Sequence, residues 1–174
     1  MIRAVFPGTF DPIHFGHIDI AQRASRLFDE LVVAVYDQPL KKILFPPDER
    51  IELVKLALKP ISNIKIMGYS GLTVDFCQQI DAQVIVRGLR VFSDFEYEFR
   101  MALANHSLAP DIEVVALITN KDHSFLSGST VREIAALNGD VSSMVPDYVE
   151  KALRDRFNEL GSDQSIVPHT SLRD

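Results

Sequence analysis

The sequence contains a single cysteine, Cys77, among its 174 residues. One thiol cannot form a disulfide within the chain, which excludes the class of small secreted domains held together by disulfides. The longest apolar runs, Leu31–Val35 and Val114–Ile118, are far shorter than the roughly 20 residues of a membrane helix. No charged segment followed by an apolar one begins the chain. We therefore expect a cytoplasmic protein without a membrane partner.

The sequence is also short of positive charge: 18 lysines and arginines stand against 24 aspartates and glutamates, which gives a formal net charge of −6. The charges are interspersed along the chain rather than gathered into blocks. Duplex nucleic acid and anionic membranes both favour a basic face, so we expect neither as a partner. A small phosphorylated substrate stays compatible with this charge, because it needs only a few well-placed cations.

Two common phosphate-binding sequences are absent as well. The chain has neither the G-x-x-x-x-G-K-[ST] loop nor the G-x-G-x-x-G fingerprint, which argues against kinases of that loop class and against typical NAD enzymes. The pair His14 and His17 raises the alternative of a zinc site. Because no cysteine and no third histidine lies in register with the pair, we assign no metal-ligating residue.

What the sequence does contain is an alternation of strand-like and helix-like segments. The apolar segments typical of buried parallel strands are Ile2–Phe6, Leu31–Tyr36, Ile64–Met67, Val84–Val86 and Val114–Ile118. Helical spacing is found in His17–Phe28, around Ile51, Val54 and Leu58, and in Leu72–Ile80, Phe95–Leu108, Ser129–Leu137 and Tyr148–Leu160. This order predicts an α/β fold with a Rossmann-like, doubly wound parallel sheet of five strands. Because 47% of the residues are hydrophobic, we expect one domain over residues 1–160, followed by a polar, disordered tail over 161–174.

Such a sheet binds ligands in the crevice at the carboxyl ends of its strands. In this sequence the strand ends are rich in polar residues or glycine, and they are Phe6–Phe15, Tyr36–Leu44, Gly68–Thr73, Arg87–Asp94 and Thr119–Thr130. The first of them resembles an anion cradle, because Gly8 permits a tight exit from the strand and Gly16 leaves the helix start open to a ligand. His14 and His17 would point to one side, where an imidazole N–H can bond to a phosphate oxygen. The alternative is an ordinary polar loop.

Two arginines flank a glycine at the end of the fourth predicted strand. Arg87 is expected to close the strand, and Gly88 to turn the chain so that Arg90 returns to the same crevice. Paired guanidinium groups suit phosphates. The alternative is a structural role, in which the arginines pair with acidic residues of the segment Asp94–Glu98.

Hydroxyl groups and a glycine precede a late helix, in the segment His123–Arg132. Ser129 or Thr130 is expected to cap that helix, and together with Arg132 the segment can hold a leaving polyphosphate. The pair Lys41-Lys42 follows the second strand, where two lysines are usually no more than a solvated turn.

Taken together, these segments resemble the phosphopantetheine adenylyltransferases, members of the nucleotidyltransferase superfamily that carries an H-x-G-H signature. The resemblance spans about residues 1–160 and rests on Pro7–Pro12 with Gly16 and His17, on Lys41-Lys42 with Phe45, Glu49 and Arg50, on Arg87–Arg90 with Asp94–Glu98, and on the serine-rich segment before Val131. It implies a nucleotidyltransferase fold and the transfer of adenylate from Mg-ATP to 4'-phosphopantetheine, giving dephospho-coenzyme A and pyrophosphate in coenzyme A biosynthesis. It also implies Mg²⁺ as cofactor and a homohexamer.

The same resemblance assigns roles to individual residues. His17 would stabilise the transition state, together with Lys41. Thr9 would contact both substrates, while Lys41, Thr73 and Arg87 would face phosphopantetheine. The residues expected around ATP are Thr9, Phe10, His17, Gly88, Leu89, Arg90, Glu98, His123, Ser124, Phe125, Leu126, Ser127, Gly128 and Ser129.

The sequence departs from this family at three positions. Position 14 is histidine where many bacterial members have threonine, so His14 would help to bind phosphate or simply face solvent. Gly128 stands where serine is common, and His123 where an aromatic residue is frequent. Two other functions stay open: a small nucleotidyltransferase acting on nicotinamide mononucleotide or on a sugar- or glycerol-phosphate, and a non-catalytic nucleotide-binding protein.

Overall fold

The computed structural model describes residues 1–39 and 42–161 and forms one parallel sheet flanked by helices. The strands are β1 (Arg3–Gly8), β2 (Glu30–Tyr36), β3 (Ile64–Tyr69), β4 (Val84–Leu89) and β5 (Glu113–Ile118). Their order in the sheet is β3-β2-β1-β4-β5. The chain thus moves outward to one side of β1 and then crosses to the other. This is the doubly wound α/β arrangement predicted from the sequence.

Six α-helices connect or follow the strands of the described chain. They are α1 (Phe15–Ala24), α2 (Pro47–Leu58), α3 (Thr73–Gln79), α4 (Phe92–Leu108), α5 (Gly128–Ala136) and α6 (Asp147–Leu160). A short 3-10 turn, Lys121–His123, lies between β5 and α5. Within the residues that the structure describes, no helix is long and apolar enough to cross a membrane.

The buried core has two halves, one on each face of the sheet. Side chains of successive strand residues alternate between faces, so Phe6 belongs to one half and Val5 to the other. The first half packs against α1, α2, α5 and α6, and the second against α3 and the segment that follows α4. Burial on both faces explains why the strands read as continuous apolar runs.

Three strands extend further at their carboxyl ends than the sequence predicts, and β3 does so through Gly68 and Tyr69. Strand β1 continues through Pro7 and Gly8, and β4 continues through Arg87 and Gly88 to Leu89. The predicted turn at Gly88 is therefore wrong. A side chain at Gly88 would place its Cβ 3.3 Å from Ile20 of α1, so glycine at this position lets the helix lie close to the sheet. Arg87 projects from a strand interior, which holds its backbone more rigidly than a turn would.

Helix α1 also differs from its predicted bounds. It begins at Phe15 rather than at His17, because His14 serves as its N-cap, and it ends at Ala24 instead of reaching Phe28. His17 consequently lies in the first helical turn, where a side chain is directed by the cap. The helix start and the end of β1 are joined by only six residues.

A buried carboxylate joins the loop after β1 to two distant segments. Asp11 accepts hydrogen bonds from the backbone N–H groups of Leu44 and Phe45, at 2.8 and 2.9 Å. The Arg132 guanidinium donates to the Asp11 carboxylate at 3.2 Å and also to the Asp11 carbonyl. Both charged side chains are almost fully buried. The loop, the entry to α2 and helix α5 are therefore fixed to one another.

A second buried guanidinium, that of Arg50 on α2, holds three carbonyl groups. It donates to Phe45 at 3.0 Å, to Thr9 at 2.6 Å and to Tyr36 at the end of β2 at 2.7 Å. Because Arg50 is completely buried, these bonds at Nε and Nη1 replace part of the hydration that a charged group loses. The carboxyl ends of β1 and β2 are thereby held in a fixed relation.

Candidate functional site

A cleft of about 660 Å³ opens at the carboxyl ends of the strands, where the sequence predicts the ligand crevice. Its walls come from the loop after β1, the ends of β2, β3 and β4, one side of α4 and the start of α5. The predicted site residues that line it are Thr9, Phe10, His17, Thr73, Arg87, Gly88, Arg90, Glu98, Leu126, Ser127, Gly128 and Ser129. Residues from five segments of the chain thus meet in one place.

His14 and His17 form a reciprocal cap at the start of α1. The His14 ring accepts from the backbone N–H of His17, and the His17 ring accepts from the backbone N–H of His14, at 3.4 and 3.3 Å. In both rings the accepting atom is Nδ1, which assigns the proton of the neutral ring to Nε2. The two rings are stacked with their centroids 3.6 Å apart. The cap therefore sets both the orientation and the tautomer of His17.

His14 does not face solvent, and it is not a charged ligand for phosphate. It is 4% exposed, and burial lowers its pKa from the usual 6.5 to about 3, with the nearby Arg90 and His123 acting in the same direction. The imidazole is thus neutral at physiological pH. Gly16 is needed beside it, because a Cβ at Gly16 would lie 3.1 Å from the His14 ring.

The Phe10 side chain packs against the ring of His17. Its ring centroid lies 4.9 Å from that of His17, in an edge-on contact, and Phe10 is 2% exposed. The backbone of Phe10 has a φ of +50°, a left-handed conformation that bulky residues rarely adopt. The flanking residues Thr9 and Asp11 are each held by a buried guanidinium, which explains how this conformation is maintained. Gly8 makes room for the ring, since a Cβ there would approach it to 2.9 Å.

Arg87 enters the cleft from β4 and is paired with a carboxylate. Its Nε and Nη2 donate to the two oxygens of Glu98 at 2.7 and 2.6 Å, and its Nη1 donates to the Pro7 carbonyl at 3.1 Å. Burial lowers the pKa of the guanidinium, but the hydrogen bonds to Glu98 outweigh burial and the pKa is raised. Arg87 therefore stays charged beside the loop after β1.

Arg90, directly after the end of β4, makes the same kind of contacts as Arg87. Its Nε and Nη2 donate to the two oxygens of Asp94 at 3.0 and 3.1 Å, and its Nη1 donates to the Leu126 carbonyl at 2.8 Å. Burial raises the pKa of the Asp94 carboxyl, but the hydrogen bonds from Arg90 outweigh it, so that pKa lies below its usual range. The carboxylate pairing considered for these arginines as a structural alternative is thus present, and both guanidinium groups still line the cleft.

The start of α5 closes one end of the cleft. Ser127 caps the helix by accepting from the backbone N–H of Thr130 at 3.0 Å, so the predicted cap at Ser129 or Thr130 is wrong. Gly128 follows the cap and lies against the loop after β1, where a Cβ would come within 3.0 Å of the Asp11 carbonyl. The first N–H groups of α5 are thereby brought next to that loop.

Several predicted site residues do not line the cleft. The cleft walls do not include Leu89, His123, Ser124 or Phe125. His123 nevertheless lies next to Gly16 and helps to lower the pKa of His14. Arg132, in contrast, does line the cleft, but it is 2% exposed and its guanidinium donates to Asp11, so the contacts seen are structural. Lys41 lies outside the described residues, as does the tail from residue 162 onward.

The sequence analysis missed one wall of the cleft. Tyr69 at the end of β3 shares a hydroxyl contact of 3.0 Å with Thr73, and α4 contributes Tyr97, Met101 and Asn105. These three residues are spaced by four, so they share a helix face. A search of α4 for the helix face shared at that spacing would have grouped Tyr97, Met101 and Asn105. Tyr36, from the end of β2, completes this side.

The carboxylates at the cleft are committed to protein partners. Asp11, Asp94 and Glu98 all pair with arginines. Among the residues that the structure describes, no three or more His, Cys, Asp or Glu side chains are grouped as metal ligands would be. The chemistry offered at the cleft walls is therefore that of cations, imidazole and backbone N–H groups, which are donors suited to phosphate oxygens.

Comparison with known proteins gives concordant matches. Residues 5–134 match the family described as Cytidylyltransferase-like. Relatives named phosphopantetheine adenylyltransferase include one from Dictyoglomus thermophilum, 47% identical over 90% of this chain and 96% of the relative. Another, from Carboxydothermus hydrogenoformans, is 48% identical over 91% of this chain and 98% of the relative. A solved structure described as a nicotinate-nucleotide adenylyltransferase from Vibrio parahaemolyticus matches with a TM-score of 0.68 at 20% identity. The match covers 88% of this chain and 99% of that one, which shows that the two share a fold.

The depressed pKa of His14 predicts a pH dependence of stability. In the unfolded chain His14 takes up a proton near pH 6.5, whereas in the folded chain it does so only near pH 3. The free energy of unfolding is therefore highest above pH 6.5 and falls as the pH drops below that value. Between pH 6.5 and 5 the loss amounts to about 2 kcal/mol. His14→Thr, which keeps a capping oxygen, is expected to remove that loss.

Urea unfolding at pH 7.5 and 5 measures this difference, with the exposed His106→Gln on α4 as the control. His106→Gln is expected to retain the pH dependence of the original chain. If His14→Thr loses as much stability on acidification as the original chain does, the buried neutral state of His14 is refuted.

Proposed function

The chain belongs to the phosphopantetheine adenylyltransferases within the Cytidylyltransferase-like family, and on that basis we propose how its cleft performs their reaction. The enzyme transfers adenylate from ATP to 4'-phosphopantetheine, which gives dephospho-coenzyme A and pyrophosphate. The observation that carries the proposal is the convergence of His17, Arg87 and Arg90 on one cleft. The imidazole of His17 on α1 and the guanidinium groups of Arg87 and Arg90 at the end of β4 line a space of about 660 Å³.

We assign the two substrates to opposite sides of the cleft. Arg90 is tied to Leu126 beside the start of α5, which supports placing the ATP phosphates against Arg90, Gly88 and the segment Leu126–Ser129. Helix N-termini with free N–H groups favour such anions. Thr9 lies in the loop between the two sides, where it can contact both substrates.

The acceptor is assigned to the side of β3 and α4. Arg87 lies close enough to Tyr69 to lower the pKa of that phenol, in opposition to the larger effect of burial, which raises it. Tyr69 in turn contacts Thr73. These neighbours support Arg87 and Thr73 as the residues that receive 4'-phosphopantetheine. By resemblance Lys41 belongs to the same group.

The reaction needs no general base. The attacking oxygen belongs to the phosphate of 4'-phosphopantetheine, which is already anionic at pH 7. It forms a new bond to the α-phosphorus of ATP while the bond from that phosphorus to the bridging oxygen breaks, and the electron pair leaves with pyrophosphate. The work of the protein is then in-line positioning and neutralisation of the negative charge that develops.

His17 is assigned the role of stabilising the transition state. The cap with His14 occupies Nδ1 of His17, so Nε2 is the ring nitrogen assigned to the transition state, and the edge-on contact with Phe10 orients the ring. A donor that is oriented before the reaction stabilises developing charge without a cost of reorganisation. Arg90 and the start of α5 would hold the departing pyrophosphate.

We treat Mg²⁺ as part of the nucleotide substrate. Mg²⁺ usually keeps several waters and is bound by substrate phosphates with only one or two carboxylates. The cleft walls supply donors to the phosphates that would carry the ion, while the carboxylates of Asp94 and Glu98 are paired with arginines. The ion would reduce the charge of the triphosphate, and the residues of the chain would orient it.

We further propose a homohexamer in the cytoplasm. Helix α4 has no buried residue in the isolated chain, and its aromatic side chains Phe92, Phe95 and Phe99 are half or more exposed and stacked on one another. Exposed apolar surfaces of this kind are typical of protein interfaces. The single cysteine, Cys77, fits a reducing compartment.

The direct test of the activity is incubation with Mg-ATP and 4'-phosphopantetheine, with mass detection of dephospho-coenzyme A. The chain is expected to form this product and pyrophosphate, and to use nicotinamide mononucleotide or glycerol phosphate poorly. In the same assay His17→Ala is expected to lower the rate by about 10²–10³, as the loss of one preorganised donor does. Near-normal turnover by a folded His17→Ala protein would contradict the role assigned to His17.

The assembly is tested by sedimentation. Six chains of 19.5 kDa should sediment together at about 117 kDa. Phe99→Glu, which places a charge on the exposed face of α4, is expected to shift the protein to smaller species. Leu56→Glu is the matched control, because Leu56 is equally exposed but lies on α2. A monomer in the unsubstituted protein, or equal dissociation by both variants, would contradict the proposal.

A further inference from the structure

Two arginines at the cleft share one pattern of hydrogen bonds. Arg87 and Arg90 each donate through Nε and Nη2 to both oxygens of a carboxylate, and each donates through Nη1 to a backbone carbonyl. Both carboxylates come from α4, and the carbonyls belong to Pro7 in β1 and to Leu126 before α5, two residues that line the cleft. The repetition indicates a common task.

The two carboxylates lie one helical turn apart on the side of α4 that faces the sheet. Asp94 and Glu98 are spaced by four residues, and their side chains are 19% and 14% exposed. Glu96, between them in sequence, is directed elsewhere: it pairs with Arg100, and its side chain is 65% exposed. The helix thus presents two acidic groups to the cleft arginines and a third to solvent.

The pattern leaves one edge of each guanidinium available. A guanidinium has five N–H donors in a fixed plane. The carboxylate takes the edge formed by Nε and Nη2, and the carbonyl takes one of the two Nη1 donors. Within the described chain, one donor on Nη1 and one on Nη2 have no partner, and together they suit two oxygens of a phosphate.

We propose that Asp94 and Glu98 are positioning residues for the substrate phosphates, acting through Arg90 and Arg87. Each carboxylate fixes the plane of its arginine so that the opposite edge faces the bound phosphate. This inference rests on the proposed assignment of Arg90 to ATP and Arg87 to 4'-phosphopantetheine. It gives Glu98 a role through Arg87, in place of the direct contact with ATP that the family resemblance implies.

The consequence of removing one carboxylate charge should be selective. Asp94→Asn and Glu98→Gln keep the size of the side chain but offer only one acceptor oxygen, so the guanidinium loses its two-point support. Residues that orient the direct ligands of a charged group typically affect its binding by roughly 10–100-fold. We expect Asp94→Asn to raise the KM for ATP by about tenfold. Glu98→Gln should raise the KM for 4'-phosphopantetheine by a similar factor, with the other substrate changed less than twofold in each case.

Steady-state kinetics with each substrate varied in turn provides the test, and Glu96→Gln is the matched control on the same helix. Glu96→Gln should leave both KM values and kcat unchanged. A rise in the KM for ATP alone in Glu98→Gln would overturn the proposal, since it would indicate direct contact with the nucleotide. Equal rises for both substrates together with a lower melting temperature would also overturn it, because they would indicate a general structural role.

The variants Arg90→Lys and Arg87→Lys separate this inference from the assignment on which it rests. If Arg90→Lys leaves the KM for ATP unchanged, the assignment of Arg90 is wrong. If Arg90→Lys raises that KM and Asp94→Asn does not, the assignment holds and the positioning role is refuted. The double variant Asp94→Asn/Arg90→Lys should be no worse than Arg90→Lys alone, because both changes act on one contact.

Discussion

The buried carboxylate of Asp11 is the contact on which the geometry of the cleft depends. It joins the loop after β1 to the entry of α2 through two backbone N–H groups and to α5 through Arg132. Arg50 adds a second buried guanidinium that holds the Thr9 carbonyl next to the end of β2. Removing one partner of such a pair leaves an uncompensated buried charge, which typically costs 3–5 kcal/mol. The loop after β1 is therefore fixed by buried charges that are paired within the protein.

This arrangement also reconciles the acidic composition with the handling of polyphosphates. The net charge of −6 averages over the whole surface, whereas Arg87 and Arg90 are concentrated at one cleft. Their charge is partly balanced by Asp94 and Glu98, which keep both guanidinium groups oriented. The start of α5 adds backbone N–H donors without adding charge, and the buried His14 is neutral at physiological pH. Cations that are few and local suit small phosphates that a cleft can enclose.

Much of the fold and the position of the cleft could be predicted from short-range patterns in the sequence, whereas the roles of single site residues came from the family resemblance. Continuous apolar runs gave the five parallel strands, and glycine-rich strand ends gave the position of the cleft. The predictions that were wrong depended on contacts between residues that lie far apart in the sequence. Gly88 lies within a strand because α1 packs against it, and Arg132 serves Asp11 although they are 121 residues apart. His14 caps α1 as a buried side chain, and its burial could not be inferred from the sequence. The wall formed by Tyr69 and Tyr97 required the packing of α4 on the sheet.

The central claim is that the cleft transfers adenylate directly between two bound substrates, by positioning and charge neutralisation alone. The stereochemical course at the α-phosphorus tests it most directly. ATP made chiral at that phosphorus with sulfur or isotopic oxygen should give dephospho-coenzyme A with inverted configuration, because one in-line displacement inverts the centre. Retention would require two displacements through an adenylate bound to the protein. That result would contradict the account.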